Sequence, residues 1–276
     1  MSEVGIVPRK GTKLFAPKFA AHQIWTLCTK NLQLYFRKGP VVIFGLLFPF
    51  FMALTWVIGR GISATQVFVG ITVMAVFFTS TAMSPVILPI ETREKGLERQ
   101  MVAPVTLTHI LGGILLASTV FSILVSLIVA LVLGIASSII ISPWLLLAFL
   151  ASLGLMACVG SLLGVLLSAP PTDQVPDIMT LATLIKFSLL FISGVFIPLS
   201  QLPLVAQFIA WFSPLTPFVD LTAACVGDAP VFSLGIDFLI LIGWAIALYV
   251  LSRLAHSRTF EKRFALVSGP AQKMGH

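Results

Sequence analysis

From Gln100 to Thr172 the chain contains no Asp, Glu, Lys or Arg. A helix needs about 20 apolar residues to cross the ~30 Å hydrocarbon core of a bilayer. One helix of this length would overshoot it, so the stretch must turn back at least once. The rest of the chain agrees with a membrane setting. Hydrophobic residues make up 58% and charged residues 10%, with a mean hydropathy of +1.07, whereas soluble domains are nearer a quarter charged. Too little polar surface is available to cover such a protein, so lipid is its main solvent.

Cutting the sequence at its breaks gives six spans, near 40–58, 67–90, 107–133, 144–168, 178–197 and 231–251. "GRG" at 59–61 closes the first and the charged run 91–100 closes the second. "GIASSIIISP" at 134–143 supplies the turn inside the charge-free stretch, with Pro143 suited to a helix start. "APPTDQVPD" at 169–177 precedes the fifth span. Residues 198–220 are apolar but cut by Pro198, Pro203, Pro214 and Pro217, leaving pieces too short to cross. Non-helical backbone at membrane depth must be covered by protein or lie at the interface. We therefore expect one or two short helices re-entering the outer leaflet. The expected fold is an all-α membrane protein with a tail at 1–39, a transmembrane domain at 40–251 and a second tail at 252–276.

The bases orient this chain. Seven Lys or Arg residues precede the first span, three lie in 91–104 and five follow Leu251, while Arg60 alone lies in the first outer loop. Placing both termini in the cytoplasm puts fifteen bases inside and one outside, in keeping with the positive-inside rule. The net charge of +7 sits at the ends and between spans rather than on one face of a soluble domain. It is therefore read as orientation and anionic-lipid contact, not nucleic-acid binding. In the N-terminal tail, Trp25, Cys28, Leu32 and Tyr35 recur at helical spacing beside Lys30, Arg37 and Lys38, the pattern of an amphipathic interfacial helix. The first hydrophobic run begins too late for a cleavable signal peptide, and none is expected.

Catalytic chemistry is not evident. The sequence has no G-x-x-x-x-G-K-[ST] loop, no zinc helix motif and no G-x-S-x-G elbow. Cys28, Cys158 and Cys225 are far apart, so neither a disulfide framework nor a metal site is expected. Charge within spans is costly and often functional. Lys186 lies roughly 13 Å into the fifth span at ~1.5 Å per residue, and Asp237 lies near the outer end of the sixth. The two are conceivable as a pair. Lys186 reads either as a substrate-contacting or gating cation, or as a buried structural group. Gly160 and Gly164 form a G-x-x-x-G in the fourth span, which serves equally as an intrachain contact or a dimer seam.

The densest charge lies in "ETREKGLERQ", residues 91–100. Topology alone would call for excess base there. Instead the run balances Glu91, Glu94 and Glu98 against Arg93, Lys95 and Arg99. The three glutamates fall at i, i+3 and i+7, on one face of a helix, and mixed charge on a short element suits a specific polar interface. This stretch and its continuation resemble the permease subunits of ABC-2 type transporters, the drug, lipid and polysaccharide export group. Glu91, Glu94, Gly96, Glu98, Pro104 and Val105 stand where that family has its glutamate-rich turn, Gly, further Glu and Pro-Val. Leu97 replaces a common Thr. A second resemblance runs through "FISGVFIPLSQLP" and "SPLTPFVD", residues 191–203 and 213–220, including Gly194, Pro198, Pro214 and Asp220. Pro217 stands where a Tyr is frequent, and Ala223 and Ala224 where an Arg is frequent.

The resemblance implies a permease dimer, homo- or heteromeric, each chain coupled to a separate ATPase subunit, two per complex. ATP and Mg would be bound by that partner and no cofactor by this chain. It also implies residence in the cytoplasmic (inner) membrane and an outward direction of transport, while the scarcity of polar groups within the spans suggests a hydrophobic or amphipathic substrate, a drug, lipid or glycan-lipid. Residues Glu91, Arg93, Glu94, Lys95, Gly96, Glu98 and Arg99 would form the ATPase-coupling element. Two other classes remain open on the sequence. A stand-alone secondary transporter or channel would need coupling-ion ligands or paired broken helices. A membrane-embedded enzyme or assembly factor would need a catalytic group.

Overall fold

A computed structural model describes residues 17–37, 47–59, 62–82, 84–94, 96, 106–172, 174–197 and 199–268. Among them every regular element is helical. The order is α1 (Pro17–Arg37), α2 (Phe48–Gly59), α3 (Ala64–Ser80), α4 (Ser84–Arg93), α5 (Leu107–Ala136), α6 (Pro143–Leu167), α7 (Val175–Ile192), a 3-10 turn (Leu199–Gln201), α8 (Leu204–Ala210), α9 (Leu215–Cys225) and α10 (Leu234–Ser268). Five stretches are long and apolar enough to cross a membrane: 64–93, 107–136, 143–167, 175–192 and 234–259. The bent pair α8–α9 would make six. The first half of the stretch read as the first span lies outside the described residues, and α2 is the part seen.

The core is organised around α3. Residues Val67 to Ser80 are all buried, because α2, α5, α6 and α9 surround them. Ser63 caps its first turn by accepting from Gln66 N at 3.3 Å. A hydrophobic driving force between helices is weak in lipid, so close approach and side-chain hydrogen bonds must hold the bundle. Both are visible. Ser122 of α5 donates to the Val76 carbonyl of α3 at 2.9 Å, and Thr79 and Ser122 meet at 2.9 Å. On α6, Gly160 and Gly164 face Ser80 and Ser84; a Cβ on either glycine would collide with the serine Oγ. The G-x-x-x-G is therefore an intrachain seam in this structure.

Two breaks shape the rest. At 134–143, Ser138 takes a left-handed φ of 51°, and Ile139 N bonds Gly134 O at 3.0 Å, closing α5. Pro143 then opens α6, where a missing N–H costs nothing. Between α7 and α10, α8 and α9 meet at 105°. α9 is buried on nearly all sides and is tied to the end of α7 by Ser213 Oγ donating to Leu189 O at 3.1 Å and Thr216 Oγ1 to Ser193 O at 3.3 Å. These side-chain donors satisfy carbonyls where the helix stops, as buried irregular backbone requires. α10 does not stop at Leu251 but continues as one helix to Ser268, into the stretch read as a tail.

Candidate functional site

Charge in this chain gathers at three levels, starting from the end that carries α1. Its helix packs along α5, where Gly112 and Gly113 leave room for Ile24 and Leu27. Cys28 and Asn31 are buried in that contact, while Trp25 is 58% exposed. The residues spaced on one face in the sequence therefore divide: Cys28 faces the protein and Trp25 faces away from it. Burial pushes the Cys28 thiol above its ordinary pKa, which keeps it protonated and inert.

At the same end, α4 delivers the start of the charged run. Lys30 Nζ donates to Glu91 Oε1 at 2.6 Å. Glu91 is 8% exposed, and Gly96 lies against its carboxylate, so that a Cβ there would strike Oε2. The glutamate spacing put Glu91 on one helical face with Glu94 and Glu98. The structure turns it inward instead, onto α1, and leaves Arg93 and Glu94 exposed. Lys95, Glu98 and Arg99 lie outside the described residues. This contact ties α1 to the last turn of α4.

Mid-bundle, α3 gives way to α4 at Thr81 and Ala82. In a continuous helix the Thr81 carbonyl would accept from the N–H of residue 85, but that residue is Pro85 and has none. Lys186 of α7 fills the role, its Nζ donating to Thr81 O at 3.3 Å and lying 5.9 Å from the centre of the Phe78 ring. The sequence allowed a Lys186–Asp237 pair; the structure instead spends Lys186 on the α3–α4 break and puts Asp237 elsewhere. Which helices α7 packs against decides its partner, and spacing within one helix does not report that.

Asp237 and Asp220 are at the end far from α1. Asp220 of α9 is 4% exposed and accepts from Val231 N at 2.9 Å and Phe232 N at 3.0 Å, fixing the turn that leads into α10. Asp237 is fully buried and lies within electrostatic reach of Asp220, with no base beside it among the described residues. Gly194 has φ +81°, in the left-handed region that favours glycine, and Leu199 packs where a Cβ would sit. Pro214 precedes α9 at its N-cap. Pro198 lies outside the described residues. No group of three or more His, Cys, Asp or Glu suited to a metal occurs among the described residues.

A family model described as ABC-2 type transporter matches residues 22–225, from within α1 to the last residue of α9. No match was found among curated proteins.

Proposed function

Because the chain belongs to the ABC-2 type transporter family and is a multi-pass transmembrane permease of that class, we infer that it exports a hydrophobic or amphipathic substrate across the cytoplasmic membrane, driven by a separate ATPase. Families of this kind generally pair a permease with an ABC ATPase subunit. On this reading two permease chains and two ATPase subunits make the complex, and ATP and Mg are bound in the partner.

The observation that carries the reading is the Lys30–Glu91 contact at 2.6 Å beside exposed Arg93 and Glu94. The proposed interface therefore has two layers. Arg93 and Glu94, continued by Lys95, Glu98 and Arg99, present mixed charge to the ATPase, which favours one register over others. Behind them, Glu91 and Gly96 lock the segment to α1. A push on the segment is passed to α1 through Lys30 and to α3 through α4. The excess of Lys and Arg at this end, against Arg60 alone at the other, supports its placement in the cytoplasm.

A photo-crosslinking residue in place of Glu94, in membranes that contain an ABC ATPase with which the permease transports, tests the interface. The expected product is a crosslink to that ATPase that changes yield when ATP is bound. No crosslink from Glu94 or Arg93 in a complex that still transports would remove the segment as the docking surface.

A further inference from the structure

At the end far from α1, a cavity of about 680 Å³ lies between the last turn of α2, the first turns of α3, the 194–201 turn and α9. That volume falls among small-molecule sites, which run roughly 300–1,000 Å³. Its wall is of two kinds. Trp56 and Phe196 line it as an edge-to-face pair with ring centres 5.7 Å apart. Trp56 is seated there because Gly70 has no side chain: a Cβ at that position would run into the indole. The polar part is Asp220, Asp228, Gln66 and Gln201. Asp220 is held in place by its two backbone donors. Asp228 is exposed, and its carboxylate makes no hydrogen bond or ion pair to a described residue.

We propose that this cavity binds an organic cation, a quaternary or protonated amine carrying an apolar body. Aromatic faces attract a cation by their quadrupole; buried Asp220 supplies opposite charge in a setting of lowered dielectric, and exposed Asp228 adds a second negative charge at the wall. An anion would meet both carboxylates with no base among the described lining residues to offset them, and from Phe187 to Ser252 the sequence has Asp220, Asp228 and Asp237 and no Lys, Arg, His or Glu. Arg60, the base nearest in sequence, lies outside the described residues. A bare metal ion fits less well, because Asp220 already spends its oxygens on amide donors. The binding site is independent of the coupling reading and does not require an ATPase to be present.

The test is equilibrium binding of radiolabelled benzyltrimethylammonium to the full chain in nanodiscs. Saturable binding is expected, with its uncharged carbon isostere, neopentylbenzene, competing at least tenfold more weakly. Asp228→Asn and Phe196→Leu should each weaken binding several-fold, while Asp177→Asn, at the opposite end of α7, should not change it. Absence of saturable binding overturns the proposal. So does equal competition by neopentylbenzene, or unchanged affinity in both Asp228→Asn and Phe196→Leu. An equal loss in Asp177→Asn would show attraction to overall charge and overturn it too.

Discussion

Glu91 and Lys30, 61 residues apart in sequence, meet at 2.6 Å and join the first helix to the last turn of α4. Their side chains are 10% and 48% exposed, so the acid is the buried partner and the base reaches it from the rim. Half-exposed pairs contribute little to global stability, on the order of 1 kcal/mol or less. The value of this one is positional. Lys30→Glu and Glu91→Lys should each impair ATP-driven transport, and each should lower the melting temperature because the buried site at 91 is left facing a like charge. The double exchange should recover a substantial part of the activity. Transport assays on the three variants decide it, and no recovery in the double exchange would count against a direct link.

Gly96→Ala should act on the same contact without touching a charge. The new Cβ collides with the Glu91 carboxylate, which must swing away from Lys30. Loss of transport comparable to Glu91→Gln is expected. Cys28, buried under α1, offers the readout: its maleimide labelling, slow in the parent chain, should rise in Gly96→Ala as α1 loosens.

Lys186→Met leaves the Thr81 carbonyl without a donor at the α3–α4 break. A buried acceptor left unsatisfied costs about 1–3 kcal/mol. The variant should melt at lower temperature, and backbone amides near 81–85 should exchange faster. Lys186→Arg keeps a donor and should recover most of the stability. A Lys186→Met chain that is fully stable but transports nothing would instead mark Lys186 as a substrate-contacting cation.

Gly164→Val should destabilise the bundle by roughly 1–3 kcal/mol, the usual range for overpacking, because the added Cβ meets Ser84 Oγ. Ser84→Ala in the same chain removes the nearer colliding atom, leaving the residue's own Cβ close by, and should restore part of the loss. Thermal unfolding of the single and double variants in detergent measures it. Equal destabilisation with and without Ser84→Ala would place the clash elsewhere.

The helical fold was legible because lipid demands long apolar runs and marks their ends with charge, Gly or Pro. The "GIASS" turn and Pro143 show this: the residues that break α5 and start α6 do so by their own backbone preferences. The short helices α8 and α9 were legible for the same reason, since prolines at 198, 203, 214 and 217 leave no piece long enough to cross. What could not be read was which face meets which. Glu91 at i and Glu94 at i+3 look alike in sequence, yet one is buried against Lys30 and the other exposed. Lys186 reads as a partner for Asp237 until the orphaned carbonyl above Pro85 is considered. That signal was present in the sequence as Pro85 itself, four residues after Thr81. The cavity had no local signature, because its wall comes from α2, α3, the residues after α7, α9 and the 228–231 turn.

The most direct test of coupling is ATP-driven transport by the reconstituted complex carrying Glu94→Lys together with Glu98→Lys. The account predicts that the ABC ATPase no longer co-purifies with the permease and that transport falls to the ATP-free level. A complex that keeps its ATPase and transports at the parent rate would contradict the claim that this segment passes the partner's ATP cycle to the membrane domain.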